Sequence, residues 1–193
     1  MPIDSSEKRI AFASRRLLDR EGADAVTMRR VAQAVGVTPM AIYRHYRDRA
    51  ALLNAVADEG FQELADRLTR LSPKGMPEDR LAKMGEAFLD HALENPRLFE
   101  LMFLKPRAGA RQFPQDFQSG ASPTANLMAD VVREGMRSGY FRKDKVWEIV
   151  FEIGALSHGL IMLYLGGRLN VTPSAFRSMY RRSFRRYIRG IRK

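Results

Sequence analysis

Apolar residues recur along the chain at spacings of three and four, with no sustained alternation. That period predicts amphipathic helices rather than strands. The pattern breaks at Gly22, at Gly36, over Ser72-Pro73-Lys74-Gly75, and over residues 105–121, which hold Pro106, Gly109, Pro114 and Gly120. Nine helices are expected between the breaks: 5–21, 27–35, 39–46, from Asp48 as cap to about 71, 77–93, 96–104, 123–138, 144–165 and 173–190. Three Ser/Thr-Pro pairs mark helix starts: Thr38-Pro39, Ser122-Pro123 and Thr172-Pro173. Each offers a hydroxyl to the free N–H groups of the first turn, then a proline whose φ already suits it. Pro77 and Pro96 open two more helices, and Asp4 and Glu7 stand at capping-box spacing before the first. The expected fold class is all-α.

The second and third helices are short and joined by Gly36-Val37. Helix, tight glycine turn, helix is the helix-turn-helix arrangement, which presents its second helix outward. Val31, Ala32, Val35, Val37 and Ile42 are spaced to share a small core, with Ile10, Ala13, Leu17 and Val26 supplied from around the first helix. Spacing alone fits a plain αα-corner equally well. At about 100° per residue, Ile42 and Tyr46 face that core, and Met40, Ala41 and Arg44 face away.

Composition narrows the chemistry. There is no cysteine, which removes disulfides, thiolate metal sites and a cysteine nucleophile. The first residues, MPIDSSEKRI, lack the apolar run of a secretory signal, and the uncharged stretch 153–167 is shorter than a membrane span. A cytoplasmic protein is expected. The net charge of +11 is uneven: +4 over residues 1–50, −2 over 51–140 and +9 over 141–193. Two basic segments around a near-neutral middle point to an anionic partner, nucleic acid or membrane surface.

The run Gly22-Ala-Asp-Ala-Val-Thr27-Met-Arg-Arg-Val-Ala-Gln-Ala-Val-Gly36-Val-Thr-Pro-Met-Ala-Ile-Tyr43-Arg-His-Tyr46-Arg-Asp-Arg49-Ala-Ala-Leu-Leu53 closely resembles the DNA-binding region of TetR-family transcriptional regulators. The resemblance covers about residues 5–55. It implies a DNA-binding module at 1–47, then a larger helical domain at 48–193 for ligand sensing and dimerisation. It also implies a homodimeric repressor, a (pseudo)palindromic double-stranded operator, and release by an unidentified small molecule. By the resemblance, Tyr43 and His45 match phosphate contacts, which set register. Arg44 suits a guanine edge, and Met40 and Ala41 suit thymine methyls. Arg29 and Arg49 are expected backbone or nearby base contacts, and Pro39 belongs to the same set. Thr27 and Thr38 are expected to cap helices and to meet phosphate oxygens.

The larger domain carries less signal. Met84, Phe88, His91, Met102, Met128 and Phe151 are candidates to line an apolar ligand cavity, since methionine adapts its shape. Phe151, Ala155, His158, Met162, Phe176, Tyr180, Phe184 and Tyr187 are candidates for a dimer interface built from the last two helices. The opposite half of the last helix, Arg177 to Lys193, is basic without an acid and reads as a solvated face. Three scattered histidines give no metal-site spacing, and no cofactor is expected. No Walker loop, GxGxxG, GxSxG or HExxH appears, so an enzyme is not expected. The rival readings are a basic amphipathic protein at membrane surfaces and a helical enzyme.

Overall fold

A computed structural model of the protein describes residues 5–71 and 73–193. Asp4 and Ser72, read above as a cap and as part of a break, lie outside them. The described residues form ten α-helices, a 3-10 turn at Ala23–Ala25 and no strand. The helices are α1 Ser5–Glu21, α2 Met28–Val35, α3 Pro39–Tyr43, α4 Arg49–Thr69, α5 Pro77–Glu94, α6 Pro96–Phe103, α7 Gln115–Gln118, α8 Pro123–Arg137, α9 Val146–Leu165 and α10 Pro173–Gly190. Two expectations need correction. The third helix ends at Tyr43, not Tyr46, and the expected long loop contains the short α7.

The chain packs as two units. The first comprises the described residues through Glu63 together with Asn95–Ala110; the second comprises Leu64–Glu94 and Arg111–Lys193. In the first, α6 sits close against α4 because residue 60 is glycine. A Cβ there would fall 2.7 Å from Met102 Sδ and 2.9 Å from a Leu98 methyl. The half-buried Arg15 guanidinium ties the same elements together through Asp19, Glu63 at 3.1 Å and Asn95 Oδ1 at 2.7 Å. Helices α1–α3, expected as the DNA-binding module, pack in one unit with most of α4 and with α6. Met102, a candidate for the ligand cavity, is one of the residues filling this unit.

In the second unit, α10 lays Phe176, Tyr180, Phe184 and Ile188 into the core, all fully or almost fully buried. Gly85 on α5 lets Phe184 in, since a Cβ would meet its ring at 2.6 Å. The Tyr180 hydroxyl lies 3.1 Å from both the Gly85 carbonyl oxygen and Ser157 Oγ. Its burial holds the phenol above its ordinary pKa and so protonated. Tyr164 stacks on Phe176 at 4.0 Å. Phe176, Tyr180 and Phe184 were expected at a dimer interface. They are core instead, because α5 and α9 of the same chain cover that face of α10. Tyr187 is half-buried and donates to Glu152.

The end of the chain is clasped by one acid. Glu78, at the start of α5, is buried; it accepts from Tyr140 (2.9 Å), Arg189 (3.2 Å) and Arg192 (3.3 Å). Backbone bonds Arg142 N–Ile191 O and Lys193 N–Tyr140 O close the same corner. Burial raises the Glu78 carboxyl, but the hydrogen bonds of Tyr140 and Arg189 and the charges of Arg192 and Arg189 outweigh it. The net pKa lies below the ordinary carboxylate value. A depressed folded-state pKa gives stability that is present above the unfolded value and lost as pH falls through the folded one. Glu78→Gln is therefore expected to lower stability at pH 7 by about 1–2 kcal/mol, the arginines being half exposed. It should also flatten the loss of stability as pH falls through the carboxylate range. Urea titrations of both proteins across that range check it.

Candidate nucleic-acid interface

The first unit is built to display α3. A 3-10 turn leads into α2, whose N-cap Thr27 is extended (φ −119°, ψ 152°) and accepts from Arg30 N at 3.3 Å. α2 ends on Gly36 in the left-handed region (φ 77°, ψ 37°), which a side chain would strain. Gly36 N and Val37 N both donate to Ala32 O, at 2.9 and 3.0 Å. That turn swings the chain outward. Thr38 then stands at the start of α3, but its hydroxyl makes no cap bond, because Ala41 N takes the Thr38 carbonyl at 3.0 Å. Ser122 likewise caps through no side-chain bond, whereas Thr172 Oγ1 accepts from Ala175 N.

Ile42 and Tyr46 anchor α3. Both are buried, and Tyr46 N donates to Ile42 O at 3.0 Å. Anchored so, the opposite side faces solvent: Pro39, Met40, Tyr43, Arg44 and His45 are exposed and Ala41 is half-buried. Arg29 is exposed on α2, and Thr27 is half-buried. The structure thus places most of the expected contact residues on one short run of surface, with no acid between Val37 and Arg47.

Arg49 departs from expectation. Its Nε donates to Val26 O at 2.8 Å and a terminal nitrogen to Ala23 O at 2.6 Å, with Asp24 at 3.5 Å. It fastens the 3-10 turn to α4 and so positions α2. Val37 was expected in the core but is 37% exposed. Two supports escaped sequence reading. Arg9 donates to Val35 O at 2.8 Å, holding the end of α2 against α1. Arg30 pairs with Glu21 through two bonds of 2.7 and 2.8 Å, which holds that carboxyl below its ordinary pKa. Neither separation, 26 or 9 residues, belongs to a helical period.

The candidate ligand residues differ in burial. Met84 and His91 are buried, and Phe88 and Met128 are half-buried. The Phe88 ring lies 5.1 Å from that of His158. His158 itself donates from Nδ1 to Gly154 O at 2.6 Å, and burial lowers its pKa, so it is neutral at pH 7. Phe151 is 47% exposed and stacks on Phe113. A depression bounded by Ala82, Glu86, Tyr180, Arg181, Phe184 and Arg185 has no room for a water molecule. Among the described residues no group of three potential metal ligands occurs.

A helix-turn-helix that exposes Tyr43, Arg44 and His45 at the end of its outer helix, in a chain with a second helical unit, is the arrangement of a DNA-binding regulator. Residues 10–56 match the family model for bacterial regulatory proteins of the tetR family, and residues 81–189 match that of the tetracyclin repressor-like C-terminal domain. The chain belongs to the TetR family of transcriptional regulators, whose members are DNA-binding proteins rather than enzymes. It is 36% identical over 80 residues to the transcriptional repressor Rv1474c of Mycobacterium tuberculosis, covering 42% of this chain and 43% of that protein. The chain spans about half the length of the curated relatives it matches. A protein of unknown function from Rhodococcus sp. RHA1 superposes with a TM-score of 0.81 at 26% identity, over 100% of this chain and 98% of that one. A single-substitution variant of TetR from Acinetobacter baumannii AYE, solved in complex with minocycline, superposes with a TM-score of 0.69 at 19% identity, over 97% and 96% of the two chains.

Proposed function

We propose that the protein is a cytoplasmic homodimeric repressor that holds a (pseudo)palindromic operator with two α3 helices and lets go when a small molecule binds. Residues 1–47 make the DNA contacts in this reading, and 48–193 serve sensing and dimerisation. The observation that carries it is the α3 surface, where Ile42 and Tyr46 are buried while Tyr43, Arg44 and His45 stand exposed without a neighbouring acid. One such helix meets few base pairs, so two copies reading related half-sites about 34–36 Å apart or somewhat further supply the specificity. The names of relatives support the rest: one is a repressor, and one fold neighbour holds minocycline. An effector releases the operator only by binding the DNA-incompetent state more tightly.

The exposed apolar strip of α9, Phe151, Ala155 and Met162 with Leu163 beside it, supports the homodimer. α9, at 20 residues, is long and apolar enough to cross a membrane, although the uncharged stretch 153–167 that overlaps it has 15, and only 28% of its apolar window is buried in the chain. Within a matched regulator domain, a second copy is the simpler cover for that face.

Two substitutions test the DNA reading. Tyr43→Ala is expected to weaken binding to every sequence alike, because a phosphate contact carries no sequence information. Arg44→Ala is expected to relax preference at one or two base positions by about 1–3 kcal/mol. Binding to a library of randomised duplexes separates the two, and an even loss for Arg44→Ala would refute base reading by that residue.

A further inference from the structure

All six cations of α10 are arginines, and the helix holds no acid. Three of them meet carboxylates of α5: Arg177 pairs with Asp90, Arg181 with Glu86 at 3.2 Å and Arg189 with Glu78 at 3.2 Å. Arg182, Arg185 and Arg186 differ. They are exposed, and among the described residues none of their guanidinium groups has an acid partner in the chain. Arg185 borders the same depression as Glu86, but Arg181 holds that carboxylate. Standing at i, i+3 and i+4, the three crowd one helical turn, where like charges repel. The surface of the second unit thus carries a triple positive charge with no answer inside the chain.

The chemistry of the patch narrows its partner. A planar guanidinium forks onto two oxygens of a phosphate, whereas lysine meets it as a point charge, and α10 uses arginine throughout. A helix that lies on a membrane sinks its apolar face among the lipids. Here that face, Phe176, Tyr180, Phe184 and Ile188, is buried in the protein's own core. An acidic protein would need carboxylates placed to match. Duplex DNA carries a charge about every 1.7 Å along its axis, and so answers three arginines in any register. We infer that Arg182, Arg185 and Arg186 form a second nucleic-acid contact, which grips the phosphate backbone of duplex DNA without regard to sequence. The inference goes beyond the operator reading, since α3 takes no part in it. Such a contact holds the protein on DNA of any sequence and lets it slide or hop toward a specific site.

The test uses the full-length protein carrying Tyr43→Ala and Arg44→Ala, which disables α3, and the same protein with Arg182→Gln, Arg185→Gln and Arg186→Gln added. Affinity for a short duplex of random sequence is titrated over a range of salt. The α3 variant is expected to keep measurable affinity that falls steeply as salt rises. Each arginine removed is expected to lower the slope of log affinity against log salt by about 0.9. The advantage of the α3 variant over the quintuple variant then shrinks about 40-fold between about 50 and about 200 mM salt. Arg182→Lys, Arg185→Lys and Arg186→Lys keep the charges and are expected to restore the slope. Equal slopes and affinities with and without the arginines overturn the inference. A change in sedimenting mass on the Gln substitutions also overturns it, because the arginines then face a second copy. Binding to vesicles containing phosphatidylserine that needs the three arginines, beside duplex binding that does not, overturns it in favour of lipid. With α3 intact, the three Gln substitutions are expected to leave the sequence selected from random duplexes unchanged. Failure of the wild type to select any sequence overturns the operator reading alone, because the random duplex decides this one.

Discussion

Removing residues 173–193 is expected to unfold the second unit, not to release a folded monomer. α10 contributes Phe176, Tyr180, Phe184 and Ile188 to the core, and Tyr180 reaches Gly85 and Ser157 across it. At about 1.5–3 kcal/mol for each large side chain withdrawn from water, the four together rival the roughly 5–15 kcal/mol that holds a typical domain folded. The truncation also bares Gly85, whose missing Cβ leaves a hollow shaped for Phe184. Loss of near-ultraviolet circular dichroism, loss of a cooperative thermal transition and dye binding are the expected signs. Replacing Arg182 and Arg186 by Gln, by contrast, is expected to leave folding and assembly intact, since both side chains point to solvent. A truncated chain that melts cooperatively would show that α10 is an appendage.

The difference between that expectation and the sequence-based one shows what a pattern carries. The i, i+4 run Phe176, Tyr180, Phe184, Ile188 marks a buried face wherever its cover comes from. Whether the cover is a second copy or α5 and α9 depends on Gly85 and Ser157, which lie 95 and 23 residues from Tyr180. No local period encodes that. The helix-turn-helix was legible because its determinants are local: Thr27 as cap, Gly36 as the left-handed stop, and Ile42 and Tyr46 one turn apart. Val37 departs from what its residue type predicts because it follows the left-handed turn at Gly36, which leaves it at the surface. The early end of α3 is of the same kind. Tyr46 is buried as its period requires, but the chain has left the helix at Arg44 to meet the Asp48 cap, whose Oδ1 accepts from Ala51 N at 2.7 Å. The short α7 spans four residues, too few to show a period. What the candidate ligand residues share is side-chain type, which says nothing of which unit they fill; Met102 on Gly60 is the plainest instance.

Met162→Glu is expected to yield a folded monomer that has lost most of its operator affinity. In the single chain Met162 is 46% exposed, so a carboxylate there keeps its water and the fold loses little. In a dimer joined through α9 the same carboxylate is buried in each copy, on the face that also carries Ala155. An unpaired buried charge costs several kcal/mol, enough to dissociate the pair at micromolar concentration. The operator consequence is larger than any single contact. Two half-sites held by one dimer gain about 10²–10⁴ over either alone through effective concentration, and a monomer forfeits that factor although α3 is untouched. Sedimentation velocity, thermal melting and operator titration on one preparation distinguish the cases. A melting temperature near wild type with monomeric mass and weakened binding supports α9 as the seam. Persistent dimer with full affinity places the interface on another face, and a collapsed melting transition would mean that Met162 serves the protomer's own core.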